Sequence, residues 1–150
     1  MKKFWFIILV IASLSFTQTK KVLLLDKNGN PVPLPQDKII LLNFMAYTCG
    51  HCMAEIPTIK KVLQEKEFKD KVVVIAFAID GKENNFKDKD FPIYANNPKN
   101  QVIFPIMGTP TTYIINSSGK KLAIIYGALT EENLRKYLRE AISKNASGRI

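Results

Sequence analysis

Two apolar runs constrain the fold of this chain most strongly. Ile39–Ala46 and Val72–Ile79 are almost wholly apolar, as expected of strands that are buried on both faces of a sheet. Between them Ile56, Ile59 and Leu63 recur at helical spacing, which predicts an amphipathic helix. A strand, a helix and a second strand form a βαβ unit, whose strands are parallel and whose crossover is nearly always right-handed. The sequence therefore predicts an α/β fold.

A hairpin is predicted before the first buried strand. Val22–Asp26 is mostly apolar, and Asn28-Gly29 supplies the left-handed backbone that a tight turn requires. Pro31–Leu34 would return as an edge strand, because proline lacks the N–H that a central strand donates.

The second half of the chain contains elements of both types. Gly81–Lys99 is polar and is predicted to be loop, apart from a short helix near residues 84–89. Thr111–Tyr126 is predicted to form a second hairpin, and a last helix begins at Thr130, followed by frayed residues 145–150. The predicted architecture is a mixed central sheet flanked by helices, with the N-terminal hairpin as an extension.

The charge of the chain excludes one class of partner. Lysine and arginine outnumber aspartate and glutamate by 22 to 13, giving a formal net charge of +9. The lysines are scattered, without the arginine clusters and interleaved aromatic residues of nucleic-acid binders, so we expect no nucleic acid partner. The excess is typical of a lysine-coated soluble exterior; an acidic partner or an anionic membrane surface is the alternative.

The N-terminus has the pattern of a secretory signal. Lys2 and Lys3 precede Phe4–Phe16, which is apolar except for small residues. Such a run, as a helix, reaches only about 20 Å, short of the roughly 30 Å hydrocarbon core, so a membrane anchor is the less favoured alternative. We predict a signal peptide at residues 1–17 and one domain at residues 18–150.

The only two cysteines, Cys49 and Cys52, stand where the first buried strand meets the helix. The first N–H groups and the dipole of a helix stabilise a thiolate at this position. A bridge between them would close a loop of four residues and add only about 2 kcal/mol of stability. The pair therefore suits reversible disulfide exchange better than structural cross-linking.

Structural and metal-bound cysteines are the alternatives to redox chemistry. A zinc site would need two further ligands, but His51 is the only histidine and lies between the cysteines. Haem attachment would need histidine where Met53 stands. We expect no metal and no other cofactor, although a copper carrier that uses Cys49, Cys52 and Met53 stays open.

The position of the pair gives its members different roles. Cys49, at the helix start, would attack the disulfide of a partner, and the more buried Cys52 would then displace that partner. A protonated His51 would add positive charge beside the thiolate and favour the reduced form. Glu55, close to one turn after Cys52, would either exchange protons with the sulfurs or remain a solvated helix carboxylate.

Four segments carry a resemblance to a known family, and they are Asn43–Cys49, Cys49–Pro57, Gly108–Ile115 and the turn Asn116–Lys120. Residues 22–143, which contain them, resemble the thioredoxin superfamily. Within it they are most similar to the extracytoplasmic thiol-disulfide oxidoreductases called TlpA-like or ResA-like. The resemblance implies a thioredoxin-like fold. It also implies that Pro110 follows a cis bond facing the cysteines and that the Thr109 backbone pairs with a substrate strand.

Some positions depart from the family pattern. Met45 and Thr48 stand where tryptophan is usual, and Asn43 replaces the buried aspartate of thioredoxin itself. The asparagine directs attention to Glu55 as the group that exchanges protons. Gly50-His51 is commoner in disulfide isomerases than in reductive relatives, and it therefore favours the opposite direction of electron flow.

The resemblance implies an exported, periplasmic or otherwise extracytoplasmic monomer. Such an enzyme would reduce disulfides of exported proteins, with apocytochrome c during cytochrome c-type biogenesis as one candidate, and a membrane thiol donor would re-reduce it. The alternatives are a disulfide oxidase or isomerase and, from another class, a non-catalytic binding module.

Overall fold

The computed structural model describes residues 21–81 and 88–148. Its elements, in chain order, are β1 (Leu24–Leu25), β2 (Pro31–Val32), β3 (Ile39–Met45), α1 (Gly50–Leu63), β4 (Val72–Ala78), β5 (Ile93–Ala95), α2 (Asn100–Ile103), β6 (Thr111–Ile115), β7 (Lys121–Tyr126) and α3 (Glu131–Ser147). The signal peptide predicted at residues 1–17 lies outside the described residues, as does most of the short helix predicted near residues 84–89.

The central sheet contains five strands in the order β5-β4-β3-β6-β7. β3 and β4 are parallel, with Ile39 opposite Val72 and Met45 opposite Ala78, which confirms the predicted βαβ unit. β6 is antiparallel to β3, and β7 is antiparallel to β6, so the sheet is mixed as predicted. Because the carboxyl ends of parallel strands meet at one edge, the residues that follow β3 and β4 are neighbours there.

Two apolar layers enclose the sheet. α1 and α3 cover one face, where Leu134, Leu138 and Ala141 are buried as the helical spacing of α3 predicts. Each fully buried leucine contributes about 1.5–3 kcal/mol relative to an exposed one. The other face is covered by Leu24 and Val32 of the N-terminal hairpin, together with a cluster of aromatic rings.

The buried side of α1 differs from the prediction. Ile59 is fully buried, but Ile56 and Leu63 are only partly buried at its flank. The residues that face the sheet are Cys52, Glu55, Ile59 and Val62. Glu55 is therefore not a solvated helix carboxylate, and that alternative is wrong.

The predicted N-terminal hairpin is confirmed, although its strands are short. Leu24 pairs with Val32 in an antiparallel register. The buried Asn100 side chain holds the hairpin to the rest of the domain. Its Oδ1 accepts the Leu25 N–H at 2.9 Å and its Nδ2 donates to the Leu25 carbonyl at 2.8 Å. One side chain thereby satisfies both backbone groups of a strand residue.

Val22 lies across the turn between β6 and β7. A Cβ atom placed on Gly119 would come within 2.2 Å of a Val22 methyl group, so only glycine fits at that position. Gly119 also has a φ of +87°, a backbone conformation that side chains disfavour. The chain therefore enters the domain at the end of β6 that is remote from Thr111.

Two segments differ from the sequence prediction. Gly81–Lys99 was expected to form loop outside its short helix, yet Ile93–Ala95 forms a strand parallel to the end of β4. α3 continues to Ser147, where fraying was expected from residue 145. Asn145 explains part of this, since its Oδ1 accepts a hydrogen bond from Asn116 at 3.4 Å. No helix within residues 21–81 and 88–148 has the length and apolarity needed to cross a membrane.

Ion pairs join the segment after α1 to α3. The Arg135 guanidinium donates to Glu65 Oε1 at 2.6 and 2.9 Å, to Glu65 Oε2 at 3.1 Å, and to Glu131 one turn away at 3.1 Å. Arg139 makes a similar forked contact with Glu67. These pairs hold α3 against the segment that directly follows the helix carrying the cysteines.

Candidate active site

The two cysteines lie at the first turn of α1 and form a disulfide. Cys49 is the N-cap residue, with extended backbone, and its Sγ accepts the Cys52 N–H at 3.2 Å. The sulfur thus occupies the place of an N-cap oxygen and satisfies a helix N–H that has no other intrahelical partner. Cys49 is half-buried while Cys52 is 1% exposed, which confirms the predicted difference in accessibility.

The segment before β6 faces the pair. Thr109-Pro110 is a cis peptide bond, as the resemblance implied. The Cys49 Sγ lies 3.7 Å from the Thr109 carbonyl oxygen. Thr111 Oγ1 donates to the Gly108 carbonyl at 2.6 Å and the Gly127 N–H donates to the Pro110 carbonyl at 3.0 Å. These bonds hold the segment in place from both sides.

An open groove begins at this segment. It has a volume of about 420 Å³ and is lined by Met107, the cis peptide segment, Tyr126 and Gly127. Its lining is mainly apolar. A chain lying in the groove would pass beside the more accessible of the two sulfurs.

Glu55 is a buried carboxylate that accepts two hydrogen bonds. Its Oε1 accepts from Asn43 Nδ2 at 2.9 Å, and its Oε2 accepts the Leu129 N–H at 2.8 Å. Asn43 also donates to Thr112 Oγ1 at 3.0 Å, directly across the β3–β6 pair. The carboxylate therefore links α1, β3 and the residue just before the N-cap of α3.

Burial raises the pKa of Glu55 above its ordinary value of 4.5. The hydrogen bonds from Leu129 and Asn43 act in the opposite direction, since they favour the ionised form. Cys52 and Glu55 lie on the same buried side of α1. The arrangement thus places a carboxyl group with a raised pKa on the side of the less accessible sulfur.

His51 and Met53 lie on other sides of the same turn. His51 is exposed, and Met53 is partly buried against the core. Among residues 21–81 and 88–148, no three histidine, cysteine, aspartate or glutamate side chains are grouped so as to hold a metal ion. In the copper ligand set considered from the sequence, Cys49, Cys52 and Met53, the two cysteine sulfurs are bonded to each other.

Asp80 is a site residue that the sequence reasoning missed. Its Oδ2 accepts the Thr48 N–H at 3.2 Å. Its Oδ1 is buried and has no hydrogen-bond partner in the part of the chain that the structure describes. The signal was present in the sequence, because Asp80 follows β4 and the carboxyl ends of β3 and β4 share one edge of the sheet. A negative charge beside Thr48 opposes formation of a thiolate at Cys49.

Known proteins share this sequence pattern. A thiol-disulfide oxidoreductase ResA from Oceanobacillus iheyensis is 34% identical over 113 residues, 70% of this chain and 58% of that protein. A thioredoxin-like protein, YneN, from Bacillus subtilis is 31% identical over 110 residues, 67% of this chain and 64% of that protein. The chain thus spans about three fifths of the length of these curated relatives.

The fold is shared with solved structures. The exposed lipoprotein thioredoxin Etrx1 from Streptococcus pneumoniae gives a TM-score of 0.57 at 18% identity, covering 80% of this chain and 98% of that one. At this identity the similarity shows the fold alone. The family described as "Thioredoxin-like domain" matches residues 32–142, which include both cysteines, the cis peptide bond and Glu55. The chain therefore belongs to the thioredoxin-like family.

Proposed function

We propose that the chain is a thiol-disulfide oxidoreductase that acts on protein partners. The reduced Cys49 thiolate attacks a partner disulfide, forms a mixed disulfide and releases one partner thiolate. The Cys52 thiolate then attacks Cys49, restores the intramolecular disulfide and releases the second partner thiolate. Two electrons pass from the protein dithiol to the partner, and the two protons of the dithiol end on the two partner thiols.

One observation carries this proposal. The Cys49–Cys52 disulfide lies at the N-terminus of α1, with its accessible sulfur against the Thr109 carbonyl. A helix N-terminus favours the thiolate, and the burial of Cys52 keeps the second sulfur from outside partners until the first has reacted. The relatives named thiol-disulfide oxidoreductase support the same chemistry.

The neighbouring residues support the two exchange steps. Glu55 accepts the Cys52 proton before the second attack, and burial, which raises its pKa above the ordinary value, makes it a stronger base for this role. His51, exposed beside Cys49 in sequence, stabilises the thiolate when protonated. The Thr109 backbone and Pro110 orient an extended partner segment across the sulfur.

The proposed setting is extracytoplasmic and the proposed direction is reduction. The basic and apolar N-terminus supports export, with residues 1–17 as the signal and with a membrane anchor as the alternative. We propose exported proteins as substrates, apocytochrome c among them, and a membrane thiol protein as the electron donor. Gly50-His51 favours the competing direction, in which the protein is an oxidase or isomerase.

Reduction of insulin disulfides by the dithiol-reduced protein tests the activity, with Cys49→Ser as the inactive control. A measured reduction potential then tests the direction. Thioredoxin-like proteins span about −270 to −120 mV. A value near the negative end supports the reductase, whereas a value of about −150 mV contradicts it and supports the oxidase or isomerase. Absence of insulin reduction by the wild type would contradict the activity itself.

A further inference from the structure

Three large apolar side chains that the structure exposes lie near the β7 edge of the sheet. Met107, Ile124 and Tyr126 are 88%, 41% and 61% exposed. Met107 and Tyr126 line the groove beside the cis peptide bond. Ile124 lies two residues before Tyr126 on β7, so the two side chains project from the same face of the strand. We call Met107, Ile124 and Tyr126 the apolar strip.

The backbone next to the apolar strip is also available for pairing. β7 is an outer strand of the five-stranded sheet, with β6 on one side and no further described strand on the other. The Gly127 N–H donates to the Pro110 carbonyl, which fixes the alternation of hydrogen-bonded pairs along β6 and β7. Tyr126 and Ile124 are then in the non-hydrogen-bonded positions. Their N–H and C=O groups point away from β6, towards the open edge.

These two features are joined to the candidate active site. The groove that holds Met107 and Tyr126 also includes Thr109, whose carbonyl oxygen lies 3.7 Å from the Cys49 sulfur. From Tyr126 the strip continues along β7 to Ile124, which is opposite Tyr113. An extended segment that passes the sulfur can therefore follow the edge of β7 past Tyr126 and Ile124.

The positive charge of the chain favours one kind of binding partner at the outer edge of β7. Lys120 and Lys121 are exposed at the start of β7, and the whole chain carries a formal net charge of +9. Two copies of so basic a chain repel each other across such an edge. A neutral or acidic segment of another protein does not meet this repulsion.

We propose that the outer edge of β7 and the apolar strip bind an extended, apolar segment of the protein substrate, adjacent to its reactive cysteine, by strand addition. This inference rests on the proposed function and specifies its substrate class: unfolded or extended polypeptides rather than small disulfides. Main-chain hydrogen bonds to Ile124 and Tyr126 supply affinity, and the apolar strip selects alternate apolar side chains. Lys120 and Lys121 favour an acidic residue at the far end of that segment.

The test uses binding and exchange in parallel. The binding probe is a fluorescent peptide of alternating valine and threonine with one acidic end and serine in place of cysteine. The variant is Ile124→Thr/Tyr126→Thr, which places a residue of high strand propensity at both positions while removing the large apolar side chains. Leu23→Thr is the matched control, since Leu23 is also exposed (55%) but is not in the strip.

We expect the double variant to bind the peptide at least tenfold more weakly and Leu23→Thr to bind it as the wild type does. A peptide N-methylated at alternate residues should lose binding to the wild type. Unchanged binding in the double variant overturns the inference, and so does undiminished binding of the N-methylated peptide. Self-association of the wild type through the same edge, seen by sedimentation, would also overturn it.

The exchange assay separates this inference from the proposed function. A small hydrophilic disulfide does not reach β7, so its reduction should be equal in the wild type, Ile124→Thr and Leu23→Thr; Ile124 lies outside the groove beside the sulfur. A mixed disulfide between glutathione and a cysteine form of the peptide should be reduced at least tenfold more slowly by Ile124→Thr than by the wild type or Leu23→Thr. Equal slowing of both substrates overturns the inference, whereas a wild type that reduces neither disulfide contradicts the proposed function.

Discussion

The Sγ atom of Cys49 lies 3.7 Å from the carbonyl oxygen of Thr109, although 60 residues separate them along the chain. The first belongs to the start of α1 and the second to the segment that leads into β6. The accessible sulfur is thus placed where a segment bound to the Thr109 backbone would arrive. Because the two atoms are only 3.7 Å apart, we expect a partner segment to bind the Thr109 backbone first and the Cys49 sulfur to attack it afterwards.

Serine substitutions should distinguish the two sulfurs. Cys52→Ser should accumulate stable mixed disulfides through Cys49, because no second thiolate is present to release the partner. Cys49→Ser should accumulate few, because Cys52 is 1% exposed. Non-reducing electrophoresis and mass spectrometry of captured proteins measure both. Equal capture by the two variants would contradict the assigned roles.

Replacing Glu55 should change how stability depends on pH. The folded protein holds the Glu55 proton more tightly than the unfolded chain, whose pKa is 4.5. The wild type, relative to Glu55→Gln, should therefore lose unfolding free energy as the pH rises from 4.5 through the raised pKa, by about 1.4 kcal/mol for each pKa unit of difference. Above that pKa the difference should be constant. Urea unfolding from pH 4 to pH 8 measures it, and a difference independent of pH would contradict the assignment.

The same variant should slow the second exchange step. If Glu55 accepts the Cys52 proton, Glu55→Gln should resolve mixed disulfides roughly a hundredfold more slowly at neutral pH. The first attack, by Cys49, should be little changed. Stopped-flow kinetics with a chromogenic disulfide separates the two steps. Equal slowing of both would indicate a structural role alone.

Replacing Asn43 should change both the pKa of Glu55 and the free energy of unfolding, because Asn43 donates one hydrogen bond to Glu55 and one to Thr112. Asn43→Ala removes the donor that favours ionised Glu55, so the pKa of Glu55 should rise further. It also leaves polar groups unsatisfied, which should cost about 1–3 kcal/mol of unfolding free energy. Thr112→Val is the control, since it removes the second acceptor of Asn43 without touching Glu55. The pH profile of unfolding should shift in Asn43→Ala and stay in place in Thr112→Val.

Asp80→Asn should make the protein a stronger oxidant. Removing the negative charge that contacts Thr48 favours the Cys49 thiolate, and a more stable reduced form gives a less negative reduction potential. Asp90→Asn, which changes an exposed aspartate, is the matched control and should leave the potential unchanged. Equilibration with glutathione measures both potentials. A more negative value for Asp80→Asn would contradict this assignment of its charge.

The sequence predicted the elements whose pattern is local and repeated. Both buried strands of the βαβ unit, the β6–β7 hairpin and the apolar face of α3 were confirmed, because each carries several apolar residues at one period. β5 was missed because Ile93–Ala95 is too short to show alternation. Its strand geometry depends on pairing with Ala76–Ala78, which is a tertiary contact.

Two parts of the candidate site were predictable from the sequence: the cysteine pair and the cis peptide bond. Cys49 and Cys52 stood out as the only cysteines, and the family resemblance supplied the cis bond at Pro110. The burial of Glu55 was not predictable from spacing, since its partners Asn43 and Leu129 lie on other elements. Asp80 differs from Glu55, because the predicted parallel pairing of β3 and β4 already places the residue after β4 beside Thr48; what the sequence does not show is the hydrogen bond itself.

The packing of Val22 over Gly119 places the start of the described chain at the end of the domain opposite the cysteines. Thr111 begins β6 beside the cysteines, and Val22 lies over the turn beyond its opposite end. A tether attached at this end of the domain would leave the two sulfurs facing away from the point of attachment. Partners that approach from the far side would then reach the disulfide without passing the surface to which the protein is attached.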